Sequence, residues 1–258
     1  MSHVIVRRFF TAIIPVGFAL SAASAAAQVP TKLLIRVTAR DAKIIGSGVG
    51  GAMVTVRHAE TGNVLARGLQ EGSTGSTDLI MHTQERGETV YDTEGAAGFV
   101  AELELSEPTT VVIEAEGPMG SEHAVQRAQK TITVVPGRDI LGEGIIIELN
   151  GFLVELLGPM SESLAAGETF EVRGRVRMMC GCPTEPGGMW DSNGYEILAR
   201  AVRGAEVIGE WPMSFTGTTS EFSADVSLDA RGEVELQVVA IDAARGNVGL
   251  ARRTVTIR

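Results

Sequence analysis

The chain has 258 residues, of which 44% are hydrophobic and only 5% aromatic, and its formal net charge is −10. This length suits two domains of about 100–150 residues, with cores that must be built from aliphatic side chains. The negative charge argues against binding to nucleic acid or to anionic lipid surfaces.

The first 27 residues have the features of a cleaved signal peptide. Arg7 and Arg8 precede an apolar run over residues 9–20, and residues 25–27 (AAA) form a small-residue cleavage site. The apolar run is shorter than the roughly 20 residues that a membrane span needs, and no later stretch is long enough either. Since residues 1–27 hold two arginines and no acid, the exported form would carry a net charge of −12. We therefore expect a periplasmic or secreted protein with no transmembrane anchor in its mature chain.

Short alternating or β-branched runs, separated by Gly, Pro, Asn and Asp, fill residues 28–150 without a convincing helical period. They predict strands at residues 33–38, 53–58, 64–67, 99–105, 109–116, 130–135 and 144–149. The turn at residues 60–63 (ETGN) joins two of them as a hairpin. A loop at residues 68–95 is long, and long loops tend to be functional or mobile. The pattern predicts an all-β sandwich.

Some of these turns carry a resemblance to a known family. Residues 50–56 (GGAMVTV) and 61–66 (TGNVLA) resemble the start of carboxypeptidase regulatory-like, or transthyretin-like, domains. Residues 92–95 (DTEG) with 98–99 (GF) are similar to a later turn and strand of that family. The resemblance spans roughly residues 31–149 and implies a seven-strand sandwich with no catalysis of its own.

The turn pair Asn150-Gly151 predicts a boundary, after which a second domain occupies residues 151–258. Strands are predicted at residues 152–157, 169–179, 195–203, 207–212, 221–228, 233–242 and 251–257. These strands and the turn at residues 242–247 resemble bacterial immunoglobulin-like domains. The disulfide that joins the sheets of antibody domains is absent, because the strand at 233–242 has no cysteine. The expected fold is two tandem Greek-key-type β-sandwiches.

Sulfur is concentrated at the end of the strand predicted at residues 169–179. Both cysteines, three of the nine methionines and a tryptophan lie in this stretch: Met178, Met179, Cys180, Cys182, Met189 and Trp190. The alternation along the strand predicts apolar side chains facing the core and arginines facing water. If the chain stays extended, Met178, Cys180 and Cys182 share one face at the mouth of the sandwich, and Met179 lies on the other.

The favoured interpretation of this cluster is a Cu(I) site, because thiolate and thioether sulfur are the soft ligands that Cu(I) prefers. Cys180 and Cys182 would be the thiolate ligands, Met178 and Met189 the thioether ligands, and Trp190 a cover. The chain would then bind or handle copper outside the cytoplasm.

Two other interpretations stay open. Paired cysteines in an oxidising compartment are expected to form a disulfide. Residues two apart in a strand, however, have Cα atoms about 6.5–7 Å apart, at the limit for such a bond, so Gly181 would have to fold the backbone. The protein would then be a structural or interaction module, such as an envelope accessory or adhesion protein. In the third interpretation the methionines fill the core beneath a loop, and the cysteines are inert or bonded between molecules.

No motif for enzymatic chemistry stands out. The chain lacks a Gly-x-Ser-x-Gly elbow, a His-Glu-x-x-His pair and a phosphate-binding glycine loop before a helix. The histidines beyond the signal, His58, His82 and His123, fall at a strand end or in loops. We therefore expect a protein that is not an enzyme and that binds either a soft metal ion or an envelope protein.

Overall fold

A computed structural model describes residues 27–258, so the predicted signal peptide lies outside the described residues except for Ala27. Sixteen strands and a single four-residue α-helix occupy this part of the chain. The strands form four sheets, which confirms the expected all-β architecture. Within residues 27–258, no helix is long and apolar enough to cross a membrane.

Seven strands make the two sheets of the first half. They are β1 (Val29–Ala39), β2 (Ala52–His58), β3 (Val64–Gln70), β4 (Phe99–Leu105), β5 (Thr109–Gly117), β6 (Gln126–Val134) and β7 (Ile140–Leu149). One sheet has the order β4–β1–β7 and the other β3–β2–β5–β6. All neighbours are antiparallel except β1 and β7, which are parallel. Each strand lies where the sequence predicts it, with ends that differ by at most four residues.

The inner faces of these sheets share an aliphatic core. Strand β4 shows the reason most simply, because Ala101, Leu103 and Leu105 are buried while Glu102 and Glu104 between them are exposed. This period of two gives each sheet one apolar face, and the two faces cover each other.

Nine strands make the two sheets of the second half. They are β8 (Phe152–Gly158), β9 (Ser163–Leu164), β10 (Thr169–Met178), β11 (Glu196–Arg203), β12 (Glu206–Pro212), β13 (Ser214–Phe215), β14 (Glu221–Ser227), β15 (Gly232–Asp242) and β16 (Asn247–Ile257). The sheet orders are β13–β14–β10–β8 and β12–β11–β15–β16–β9. The two-residue strands β9 and β13 are too short to be recognised from sequence.

Every sheet takes its strands from one side of Asn150-Gly151, and the two halves meet at a buried junction. Asn247 is fully buried there; its side-chain amide donates to the Arg40 carbonyl at 3.3 Å and accepts from the Gly151 N–H at 2.9 Å. Arg245 Nε lies 2.7 Å from the Asp41 carboxylate. The junction is therefore held by polar contacts as well as by apolar packing. The division of the chain into two separately folding domains stays a prediction.

The long loop of the first half is ordered by charged side chains. The Glu143 carboxylate accepts hydrogen bonds from the three consecutive backbone N–H groups of residues 90–92, at 2.7–3.3 Å. Arg36, only 4% exposed, donates to the carbonyls of residues 96 and 97 at 3.0 and 2.8 Å. The short helix α1 (Thr77–Ile80) begins after Ser76, whose hydroxyl accepts from the Leu79 N–H.

Candidate functional site

The sulfur cluster lies in a tight turn that closes strand β10. The strand alternates as expected, with Val172, Val176 and Met178 buried, but it ends at Met178 and does not continue extended. The Gly181 N–H donates to the Met178 carbonyl at 2.8 Å, and the Met178 N–H donates to the Cys182 carbonyl at 3.0 Å. The chain therefore reverses within four residues, so the extended chain that would put Met178, Cys180 and Cys182 on one face is not formed.

Cys180 and Cys182 are joined in a disulfide. Their Cα atoms are 5.4 Å apart, well inside the usual range for such a bond. The separation is shorter than in a strand because Gly181 has φ +84°, a left-handed conformation that glycine adopts readily. A ring of only three residues removes little entropy from the unfolded chain, about 1.6 kcal/mol in the loop-closure treatment. The bond therefore contributes little to the stability of the fold.

The two adjacent methionines are core residues. Met178 and Met179 are both fully buried. The Met178 Sδ lies 3.7 Å from the Tyr195 hydroxyl, and the Met179 Sδ packs closely against Gly151 at the junction. The expectation that Met179 lies on an opposite, outer face is wrong, because the turn brings it back inside. Both side chains fill irregular space, as methionine commonly does.

Trp190 belongs to the junction between the halves. It is 7% exposed, and its indole N–H donates to the Asp41 carbonyl at 2.9 Å across 149 residues of sequence. Met189, its neighbour in the chain, is 59% exposed. The expected thioether ligand Met189 and the expected cover Trp190 therefore have different surroundings.

The chain beyond the turn is anchored in the core of the second half. Thr184 is fully buried; its hydroxyl donates to the Val176 carbonyl at 2.6 Å, and its N–H donates to the Ser220 hydroxyl at 3.1 Å. Ser220 returns a bond from its N–H to the Thr184 carbonyl at 3.0 Å. With Met178 on the other side, the turn is thus fixed at both of its ends.

Above the turn, a depression of about 400 Å³ opens to solvent. Its lining comes from both halves of the chain: Lys43, Thr74, Thr77, Cys180, Gly181, Cys182, Pro183 and Trp190. Lys43 Nζ donates to the Thr77 hydroxyl at 2.9 Å. Of the five residues predicted for a metal site, the structure places Cys180, Cys182 and Trp190 in this lining, while Met178 and Met189 are not part of it.

Sequence reasoning did not identify the residues of the first half at this depression. Lys43, Thr74 and Thr77 lie more than 100 residues before the cysteines. No local pattern marks them, since a lysine and two threonines near a turn are ordinary surface residues. Only the packing of the two halves brings them to the cysteines.

Burial and charge change the acid–base properties of groups around the turn. Burial, with the nearby Asp41 and Asp242 carboxylates, raises the pKa of Tyr195 to about 12. The backbone N–H groups of Gly187 and Asn193 bind the Asp191 carboxylate and hold its pKa below the ordinary value. Asp191 therefore fixes the loop that leads from Pro186 to the short 3-10 helix Ser192–Gly194.

Metal ligands of the ordinary kinds are not clustered in the described chain. Among residues 27–258, no group of three or more His, Cys, Asp or Glu side chains is arranged to hold a metal ion. The sulfur atoms that would bind Cu(I) are bonded to each other, so thiolates would become available here only after reduction.

Comparisons with known proteins identify no family. No family model matches the chain, and no curated protein matches it. Among solved structures, an engineered protein is 15% identical with a TM-score of 0.31, and the match covers 48% of this chain but only 24% of that one.

Two further structures match over most of the chain. Dpr2 Ig1-Ig2, solved in complex with DIP-Theta Ig1-Ig3, is 9% identical over 88% of this chain and 99% of that one, with a TM-score of 0.30. The fibronectin(III)-like modules of Clostridium thermocellum CbhA are 12% identical over 88% of this chain and 92% of that one, with a TM-score of 0.27. At these scores neither likeness assigns a family to either half, and the carboxypeptidase regulatory-like and immunoglobulin-like assignments stay predictions.

Proposed function

We propose that the chain is an exported, non-enzymatic interaction module of the periplasm or the extracellular space. The observation that carries this proposal is the use of Trp190 at the junction, where its indole N–H binds the Asp41 carbonyl. Trp190, one of the most distinctive residues of the sequence, thus helps to hold the two halves together. A body fixed in this way can present a surface of constant shape to another protein.

The sheet edge at β12 is one surface suited to a partner. This strand pairs with β11 on one side, and in the described chain no strand pairs with its other side. Exposed strand edges bind partner strands through backbone hydrogen bonds. Val207 is 43% exposed, and the Trp211 ring lies directly on Gly209, so apolar contacts are available as well. Glu206 favours a partner strand that carries Lys or Arg, whereas Glu210 is already paired with Arg200 at 2.9 Å.

Cross-linking in the producing cell tests this proposal. A photoreactive amino acid at position 207 should give a discrete adduct with one protein, whereas the same group at Val135, 46% exposed and outside any strand, should not. The double change Glu206→Lys/Glu210→Lys should remove the adduct, since it reverses the charge of the edge. Equal adducts from both positions, or an adduct that survives charge reversal, would contradict the proposal.

A second candidate function is Cu(I) binding by the reduced form. The observation that favours it is the position of Cys180 and Cys182, two residues apart in a preformed turn beside an open depression. Reduction would provide two soft thiolates at one place. Met178 is excluded as a ready ligand by its burial beside Tyr195, whereas Met189 is accessible.

Competition with a Cu(I) chelator tests the second candidate. Reduced wild-type protein should bind one Cu(I) per chain more tightly than Cys180→Ser/Cys182→Ser. Met189→Leu should weaken binding, and Met178→Leu should leave it unchanged. Equal affinity of the wild type and the cysteine double variant would remove copper binding from consideration.

A further inference from the structure

The Cys180–Cys182 disulfide lies at the floor of an open depression, with Cys180 4% and Cys182 7% exposed. Both cysteines line the open depression, together with side chains from the other half of the chain. They are the only cysteines of the protein, so the bond has no other disulfide or thiol within the chain with which to exchange. Any partner in thiol chemistry must therefore come from outside.

The fold around the turn does not depend on the bond. Thr184 and Ser220 fix the chain after the turn by three buried hydrogen bonds, and Met178 and Met179 fix it before the turn by complete burial. The turn itself is closed by two backbone hydrogen bonds that do not involve sulfur. Breaking the disulfide therefore leaves the two cysteines close together, which lets them form the bond again.

We infer that Cys180 and Cys182 form a thiol–disulfide exchange site that takes two electrons from an external dithiol. A thiolate of the dithiol attacks one cysteine sulfur, the Cys180–Cys182 bond breaks, and the released cysteine thiolate takes up a proton. The second thiol of the dithiol, after losing its proton, attacks the mixed disulfide and releases the other cysteine. The dithiol leaves as a disulfide, and both cysteines are left reduced.

Lys43 brings a positive charge to the depression that the two cysteines line. It is the charged residue of the lining, and its ammonium group is held by the Thr77 hydroxyl at 2.9 Å. A cation near a cysteine favours the thiolate, both as the leaving group during reduction and as the nucleophile during reoxidation. Lys43 is thus a positioning and electrostatic residue of the site, contributed by the opposite half of the chain.

The rate of reduction by dithiothreitol, measured on the folded full chain and on the same chain unfolded in urea, tests the inference. In the folded protein the second-order rate constant should lie within about thirty-fold of that of the unfolded chain, because the bond borders an open depression. Lys43→Gln should lower the rate constant of the folded protein about three- to ten-fold, and this effect should be smaller at high salt. Lys32→Gln, at a lysine paired with Glu102 on the surface, is the matched control and should leave it unchanged.

Trp190 supplies an internal signal for the same experiment. A disulfide quenches the fluorescence of a nearby indole, and Trp190 lines the depression that contains the bond. In a Trp211→Phe background, where Trp190 is the remaining tryptophan, reduction should raise the emission. The far-ultraviolet circular dichroism should not change, since the fold does not need the bond.

Two results would overturn the inference. One is a folded-state rate more than about a thousand-fold below that of the unfolded chain, which would mean that the sulfur is shielded. The other is loss of the β-sheet signal on reduction, which would make the disulfide a structural one. A parallel reaction with a thioredoxin-type protein shows whether the dithiol can be carried on a protein or must be small. The outcome is independent of cross-linking at β12, so either proposal can fail alone.

Discussion

Two irregular segments approach the junction, and they are ordered by different means. The segment of residues 71–98 in the first half is held by ionised side chains, the Glu143 carboxylate on three backbone N–H groups and the buried Arg36 guanidinium on two carbonyls. The buried part of residues 179–195 in the second half is held by neutral hydrogen bonds of Thr184, while the exposed loop at residues 187–193 uses a carboxylate, that of Asp191. Both solve the same problem, because irregular backbone near a core must satisfy its polar groups. Buried charge orders the first segment. In the second, the disulfide can be reduced while the hydrogen bonds of Thr184 stay in place.

The strongest test of this contrast is Arg36→Met. The substitution leaves the carbonyls of residues 96 and 97 without a donor and exposes the first segment to local unfolding. We expect a loss of about 3 kcal/mol in the free energy of unfolding, measured in urea. Arg40→Met removes an arginine that is about half exposed and pairs with Glu148, and it should cost less than about 1 kcal/mol. Equal losses would show that the first segment does not depend on the buried charge.

Glu143→Gln weakens the same segment by a smaller amount. The three N–H groups bind both oxygens of the carboxylate, so the single amide oxygen of Gln keeps only the bonds made to one of them, and these are weaker than bonds to a carboxylate. The expected loss is about 1–2 kcal/mol, with faster hydrogen exchange at those three N–H groups. Glu148→Gln, at an exposed carboxylate, should leave their exchange unchanged. Unaltered exchange in Glu143→Gln would contradict the role given to this carboxylate.

Thr184→Val tests the neutral anchor of the second segment. The change keeps the shape of the side chain but removes the 2.6 Å bond to the Val176 carbonyl. We expect the free energy of unfolding, measured by denaturant titration, to fall by about 1 kcal/mol. The loss should be the same in the protein whose disulfide is reduced. Thr110→Val, on an exposed face, is the control. A much larger loss in the reduced protein than in the oxidised one would show that the bond and the anchor depend on each other.

The smallest expected effect is the response of the second segment to alkaline pH. The pKa of Tyr195 is raised to about 12, above its ordinary value near 10. The unfolded chain therefore loses the phenolic proton first, so stability is complete below about pH 10 and falls as pH rises toward 12. After allowance for partial exposure, the loss is about 1 kcal/mol. Tyr195→Phe should flatten this part of the stability profile; an unchanged profile would assign the loss to other groups.

The sequence predicts the strands well because their pattern is local. Strand β10 is the clearest case, since the alternation of Val172, Val176 and Met178 with exposed or half-buried arginines decides which face is buried. The same reasoning fails at Met179. A period of two holds only while the chain is extended. Gly181 allows the chain to reverse, and the hydrophobic alternation does not predict this reversal.

The candidate site was predicted only in part, for a related reason. Cys180, Cys182 and Trp190 were identified from their residue types, and they do lie together. The partner of Trp190, however, is the carbonyl of Asp41, and a backbone acceptor has no signature in the sequence. Lys43 was missed because its role depends on how the two halves pack.

The contacts of the junction also set an order of events during synthesis. Asn247 binds the Arg40 carbonyl across 207 residues of chain. At about 5–20 residues per second, roughly 10–40 s separate the appearance of these two residues. The strands of the first half can pair during this time, while the surface that later binds Asn247 and Trp190 is still exposed to solvent. Substitutions at those two residues therefore act on the yield of correctly assembled chains as well as on the stability of the finished protein.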